Sequence, residues 1–577
     1  MPAIAGLLAA FYWPFVFFNG ELLATTLVIL LQLVLALQLL RSGPWTLTAA
    51  ALAGLTMALL VSTRGNTLLI LPLALWWISA ETRTANRRWL PSLAFLGATV
   101  LLLAPFALRN IAVQRVPVPF QGRWSLYQGT NQDADGTPYA RQGLSWQRLE
   151  SLPYAEGHDT PANRGRYFLD ASLAFIAEQP TAYVSLLYQK FRLFWHQFEI
   201  PVSVDLRYYE SHSRLSRWLL TFGLVVPLAL AAAAWYRRTE REFLLLGGLV
   251  LAYLASGMTF TVCARYRLPA LPFLLLFAAN GVWLTWSLIR ERNAVRLGTF
   301  LLIAAGAFLL VHTGVDARSV DHLRSNWLQS QVHLRNGDYD RAQAALQREL
   351  ARNPSDSDVL NSLAGLFERQ DRRDLIEPTL RRALAAAPDH ALPWLNLGDF
   401  FLRDRRLGSA REAYAAALRS DPRPVTQYRG QRSMGDLRML SGDPAGARQA
   451  FAAAARHRRT PHIYYALSSA NAKLGRRTEQ LEALEHAVRL DSTFAPALRN
   501  LGALAFADGD FERAEHLLVM AVRRDPGSAH GYRNLGMVYR KLGDYERANL
   551  AFAEARRLAA DRLAPDAGGA GNDAVQP

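Results

Sequence analysis

Cysteine is almost absent: Cys263 is the single one in 577 residues. No disulfide can form within the chain, and no cysteine-based metal site can be built. Charge is nearly absent from the first hundred residues, where Glu21, Arg41, Arg64 and a cluster at 81–88 are the exceptions. Residues 1–18 have no basic n-region and no small-residue cleavage site, so they read as a span in preference to a signal peptide. Nothing resembles a motif that reads DNA or RNA. The net charge of +16 and pI of about 10.1, carried by Arg, therefore point to solvated helix faces, membrane orientation and anionic headgroups, not to nucleic acid.

What is present divides near residue 320. Before it, apolar runs follow one another. A span needs about 20 mostly apolar residues, and the runs at 1–18, 21–40, 46–62, 66–80, 89–108, 218–236, 243–262, 268–289 and 298–315 give an expectation of about nine. Arg83, Arg87 and Arg88, then Arg237, Arg238 and Arg241, then Arg290, Arg292 and Arg296 all fall on one side under strict alternation, which is assigned to the cytoplasm. Glu21, Arg64, the long segment 109–217, the Arg265–Arg267 turn and everything after the last span then lie outside. Basic residues on that disfavoured side are either functional or snorkelling at the interface.

The outer segment carries turn chemistry at Gly122, Gly129, Asn131, Asp133, Asp135, Gly136 and Pro138. Asp133 and Asp135 read either as weak ligands for a divalent cation or as Asx turns; no other cofactor is indicated. From 181 to 200, Tyr183, Leu186, Leu187, Lys190, Phe191, Phe194, Trp195 and Phe198 recur at helical spacing, as in a helix lying in the bilayer interface. Lys190 there reaches lipid phosphate or simply snorkels.

After residue 320 a pattern returns every 34 residues or so. Gly337, Asp371, Arg405, Gly442, Gly475, Gly509 and Gly543 mark turns at spacings of 34, 34, 37, 33, 34 and 34. The signature reads in Trp394, Gly398, Ala410 and Tyr414, in Gly502 and Ala514, and in Tyr532, Gly536 and Ala548. Period and small/large pattern are those of tetratricopeptide repeats, about seven of them, whose superhelix offers a concave face for a protein partner or acceptor. Residues 563–577 read as a disordered tail. The expected fold is all-α: a polytopic membrane domain at 1–317, an α-solenoid at 318–562, then the tail.

The membrane half resembles the GT-C membrane glycosyltransferases of family 39, the protein-mannosyltransferase and aminoarabinose-transferase-like enzymes, especially bacterial members with C-terminal tetratricopeptide repeats. The resemblance rests on Asn19–Leu23, Ser62–Asn66 with Pro72, Ala104–Asn110, Leu126–Asn131 with Ala134–Gly136, Lys190 to Pro201, and Arg265-Tyr-Arg-Leu-Pro269 with Pro272. Enzymes of the O-antigen-ligase or oligosaccharyltransferase type share the many spans and long outer loop, but the Arg265–Pro269 pattern fits family 39 better. The resemblance implies transfer of a sugar from a polyprenyl-phosphate-linked donor to an acceptor at the extracytoplasmic face. Glu21 matches an acidic position of the family, as the catalytic candidate, and Arg64, Arg265, Arg267 and Lys190 are the candidates for holding the lipid phosphate. A departing phosphate needs its charge neutralised, and an acceptor hydroxyl needs a base. Family members have further spans, and a first outer loop with its acid, ahead of the point where Met1 stands. An upstream start is the favoured expectation, ahead of spans supplied by a second chain or a non-catalytic relative. The alternative function is a non-catalytic, membrane-anchored repeat scaffold in the envelope. Either way the expected location is the cytoplasmic (inner) membrane, with the repeats on the periplasmic side.

Overall fold

The computed structural model describes every residue except 1, 13, 15–23, 83–88, 115–119, 139–143, 202–218, 236–240, 316–323 and 562–577. Among the described residues the chain is helical, and its one β-bridge joins Tyr12 to Leu220. It forms two compact units, Met1–Gln329 and Ser330–Pro577.

The first unit is a bundle of apolar helices. Four are long and apolar enough to cross a membrane: Leu90–Val113, Arg241–Thr259, Ala264–Arg290 and Ala294–His312. Ala24–Leu39, Leu47–Thr63 and Phe222–Trp235 are apolar but shorter. Among the described residues these helices do not clearly make up the nine expected spans. A count of apolar runs reads composition, whereas the backbone breaks the α-helix within one of those runs. The fourth starts as a 3₁₀ turn, Gly65–Ile70, and becomes α-helical only at Leu71, beside Pro72. Close packing uses small residues, as is usual between apolar helices. A Cβ built on Gly54 would stand 2.2 Å from the Phe95 carbonyl oxygen, so only glycine lets Leu47–Thr63 and Leu90–Gln114 cross there.

The segment read as turn-rich is largely helical: Phe120–Gly129, Leu144–Ala155 and Pro161–Glu178. Gly122 lies within the first of these. The reason is aromatic: Trp124, Leu149 and Phe168 bury a small core of their own, with Tyr127, Trp146 and Tyr167 packed on it. Among the described residues turn geometry is found after Gly129 and again at Gly157.

Seven helix pairs run from Ser325 to Asp561, and the second unit holds all of them but the first turn of the first helix. The residues expected at the seven turns all take positive φ: Gly337 (74°), Asp371 (54°), Arg405 (60°), Gly442 (75°), Gly475 (70°), Gly509 (82°) and Gly543 (81°). Glycine adopts this conformation freely, whereas Asp371 and Arg405 hold it at a steric cost. In four of the pairs a glycine on the first helix admits a large side chain from the second. A Cβ on Gly398 would meet the Tyr414 ring at 2.4 Å, and one on Gly536 would meet Phe552 at 2.8 Å. Ala410, Ala514 and Ala548 are buried at the matching positions of the second helices. Successive first helices touch one another more closely than successive second helices do, so the array curves with its first helices on the inside.

Candidate functional site

Two places collect polar chemistry. In the first unit, Arg64 ends the helix Leu47–Thr63 and donates through Nη1 to the Arg265 carbonyl (3.1 Å) and through Nη2 to the Thr25 hydroxyl (3.1 Å). Arg265 donates from Nε to the same hydroxyl (3.3 Å). Thr25 is fully buried near the start of the described helix Ala24–Leu39. Among the described residues no carboxylate is paired with either guanidinium. Burial, then the neighbouring Arg265 charge, lowers the Arg64 pKa from its usual value. Asn66 Nδ2 anchors the adjoining 3₁₀ turn by donating to Ser256 Oγ at 2.6 Å. Two cations held together without a counter-charge are an arrangement that attracts an anion.

Arg267 does not belong to that cluster. Its guanidinium is buried, donates to the carbonyls of His196 (2.5 Å), Phe194 (3.2 Å) and Phe198 (2.8 Å), and pairs with Glu199 at 3.0 Å over the Phe222 ring. Tyr12 completes the set by donating to Glu199. It clamps the chain between Phe194 and Glu199 and has little left to offer a ligand. Lys190 likewise differs from the expected headgroup or snorkelling position. Its side chain is fully buried in Pro180–Trp195, donating from Nζ to the Met258 carbonyl at 2.9 Å. Burial brings its pKa down to about 7.

Asp133 and Asp135 sit in linked Asx turns. The Asn131 carboxamide oxygen accepts from the Asp133 N–H (2.8 Å), and one Asp135 oxygen accepts from both the N–H (2.8 Å) and the hydroxyl (2.6 Å) of Thr137. Among the described residues no three His, Cys, Asp or Glu side chains converge as a cation cage would require. Glu21, with Asn19–Leu23, lies outside the described residues.

The second place is the inner surface of the array. In repeats two to four it is a polar ladder. Asn396 donates to Asn361 (2.8 Å), Arg429 donates to Asn396 (2.8 Å) and pairs with Asp399 (3.0 Å), and the Tyr414 hydroxyl donates to Asp399 (2.7 Å). These groups satisfy each other across three successive first helices. In repeats five to seven the equivalent face is different, with Arg499 and Arg533 exactly one repeat apart in register at Asn500-Leu-Gly and Asn534-Leu-Gly. Sequence reading missed Thr25, Asn396, Asp399, Arg429, Arg499 and Arg533. The last two were findable, because they recur at the 34-residue period. Of the signature residues, Trp394 donates its indole N–H to the Pro388 carbonyl (2.9 Å), while Tyr532 packs on the core of the last two repeats and Gly502 abuts Leu518.

The tetratricopeptide-repeat family model matches residues 328–374, 377–423, 433–493 and 499–565. Solved structures similar to this chain include MamA from Desulfovibrio magneticus RS-1, 21% identical over 30% of this chain and 97% of that one, with a TM-score of 0.27. Another is pilF of Pseudomonas aeruginosa, 22% identical over 36% of this chain and 94% of that one, with a TM-score of 0.33. A third is YrrB, described as a tetratricopeptide-repeat protein with an unusual peptide-binding site, 21% identical over 32% and 94%, with a TM-score of 0.27. No curated protein matches the chain. The glycosyltransferase resemblance of the first unit has no family model or relative behind it. Residues 328–565 are a tetratricopeptide-repeat region, the kind of array whose role is protein–protein interaction.

Proposed function

We propose that this chain is a membrane-anchored scaffold, in which apolar helices hold the repeat array at a bilayer and the inner face of the array grips a protein partner. The observation that carries this reading is the array itself: seven helix pairs, matched by the repeat family, curving around a polar inner surface. The anchoring part is supported by the four long apolar helices and by large apolar side chains turned outward on them, such as Leu101 and Leu302. The Arg241–Glu81 ion pair (2.7 Å) joins the start of Arg241–Thr259 to the end of Leu71–Glu81. On the positive-inside assignment the repeats lie on the extracytoplasmic side of the cytoplasmic membrane. A soluble 318–577 fragment is expected to retain the partners that full-length protein recovers from membranes. Retention by the spans alone, with none by the fragment, would overturn the scaffold.

A second reading is favoured by one specific observation, the Arg64–Arg265 pair on Thr25. Such a pair suits the phosphate of a polyprenyl-linked sugar, with Glu21 the candidate base and the repeats holding acceptor. Sugar transfer from that donor class by full-length protein, lost in Arg64→Ala and Arg265→Ala, is the expected result. Transfer unaffected by both substitutions removes the pair from any such site.

A further inference from the structure

The inner face of repeats five to seven is basic, and the first helices that build it carry no acidic counterpart. The three first helices there, Pro461–Lys473, Ala495–Ala507 and Ala529–Lys541, hold no Asp or Glu. The first helices of repeats two to four do hold acids, at Asp358, Glu368, Asp399 and Asp436. In the last helix His530, Arg533, Arg540 and Lys541 are exposed while Gly531, Leu535, Gly536 and Val538 are buried, so the cations share one helical face. Arg499 stands one repeat before Arg533 and donates to Ser528 Oγ, at the start of the next repeat, at 3.0 Å, and Lys473 is exposed at the end of the first helix of repeat five. Between them the floor is small, at Ala466, Ser469 and Ala503.

The contrast with the first half is in hydrogen bonding as well as charge. Asn396 is bonded on both sides of its carboxamide. Asn500 and Asn534, at the same place in the repeat, are only partly buried and have no side-chain partner among the described residues, nor has Arg533. An inner surface that satisfies itself in one half and presents unused amide and guanidinium donors in the other is selective for what it lacks: carboxylates and an extended backbone to pair with. The uniform positive field would also draw such a ligand in.

We propose that repeats five to seven bind an extended, acidic segment of the partner protein, its carboxylates on Arg499, Arg533 and Lys541 and its backbone along Asn500 and Asn534. This rests on the scaffold reading and names the chemistry of its partner.

The test is fluorescence anisotropy with full-length protein in detergent. The probe is a labelled peptide of alternating Glu and Ala, beside the same peptide with Gln for Glu and a single-stranded oligonucleotide of matched charge. The Glu peptide is expected to bind about tenfold more tightly than the Gln peptide, with the difference shrinking as salt is raised. The double variant Arg533→Glu with Lys541→Glu should lose that preference. Arg523→Glu, an exposed site on the second helix Phe511–Arg524, should keep it. The pair Arg533→Gln with Lys541→Gln, which removes charge without reversing it, guards against misfolding of the reversal and should also weaken the Glu peptide. Equal binding of Glu and Gln peptides, unchanged binding in both double variants, or tighter capture of the oligonucleotide would each overturn the proposal. If the acidic preference fails while the 318–577 fragment still holds its partner, the scaffold reading stands and only the partner's chemistry is wrong.

Discussion

Replacing Gly398 by alanine tests how the repeats are packed. The added methyl would lie 2.4 Å from Tyr414 Cε1 and 2.6 Å from Cδ1. That ring has nowhere to go, since Tyr414 is fully buried and its hydroxyl is held by Asp399 at 2.7 Å. Overpacking of this kind costs about 1–3 kcal/mol, against which alanine gains about 1 kcal/mol of helix propensity over glycine. The net expectation is a loss of about 1 kcal/mol. Gly365 is the control, because it sits within the helix Ser357–Arg369 with open space where its Cβ would be. Gly365→Ala has only the propensity gain and should stabilise by about 1 kcal/mol. For a unit of this size about 1 kcal/mol moves the melting temperature by roughly 2–4 °C. Thermal unfolding of the 318–577 fragment, followed by circular dichroism, should therefore shift down for Gly398→Ala and up for Gly365→Ala. If both shift upward together, the close approach of paired helices at Gly398 is not what the fold depends on.

Arg405→Gly should stabilise the same fragment by about 1 kcal/mol in chemical denaturation, because Arg405 holds a left-handed backbone at φ 60° that glycine adopts without strain. Arg267→Ala should destabilise the full-length protein in detergent by about 3–5 kcal/mol, since it strands Glu199 in a buried site, whereas Arg265→Ala should leave the melting temperature nearly unchanged. Lys190 gives a pH signature. Its folded pKa, about 7, lies below its unfolded value of 10.5, so the unfolded chain binds the extra proton between those values and stability rises with pH across that window. Between pH 7 and 9 the gain is roughly 2 kcal/mol, and Lys190→Met should abolish it in melting curves taken at the two pH values.

The repeat half was almost fully legible in the sequence because its information is local and periodic. One backbone conformation recurs at each turn, which is why Asp371 and Arg405 could be placed in line with five glycines. Its binding surface was less legible, since Asn396 and Asn534 share a repeat position but differ in whether a neighbour occupies them. The membrane half was legible only as apolar runs. Run length does not show where Gly65 and Pro72 convert a helix start into a 3₁₀ turn. Nor does sequence order distinguish Arg265, which turns to Thr25, from Arg267 two residues on, which is locked by carbonyls from a distant segment. Lys190 was misplaced for the same reason: its helix has the amphipathic spacing of a surface helix, but its amine is covered by the chain around Met258.

The central claim is that the inner face of the array is the working surface of this protein. Site-specific photocrosslinking in native membranes tests it most directly, with the reactive group placed in turn at Tyr465 and Arg533 on first helices and at Arg382 and Arg523 on second helices. The account predicts that one partner band forms from Tyr465 and Arg533 and is missing from Arg382 and Arg523. Crosslinks formed equally from both layers, or only from the second helices, would contradict it.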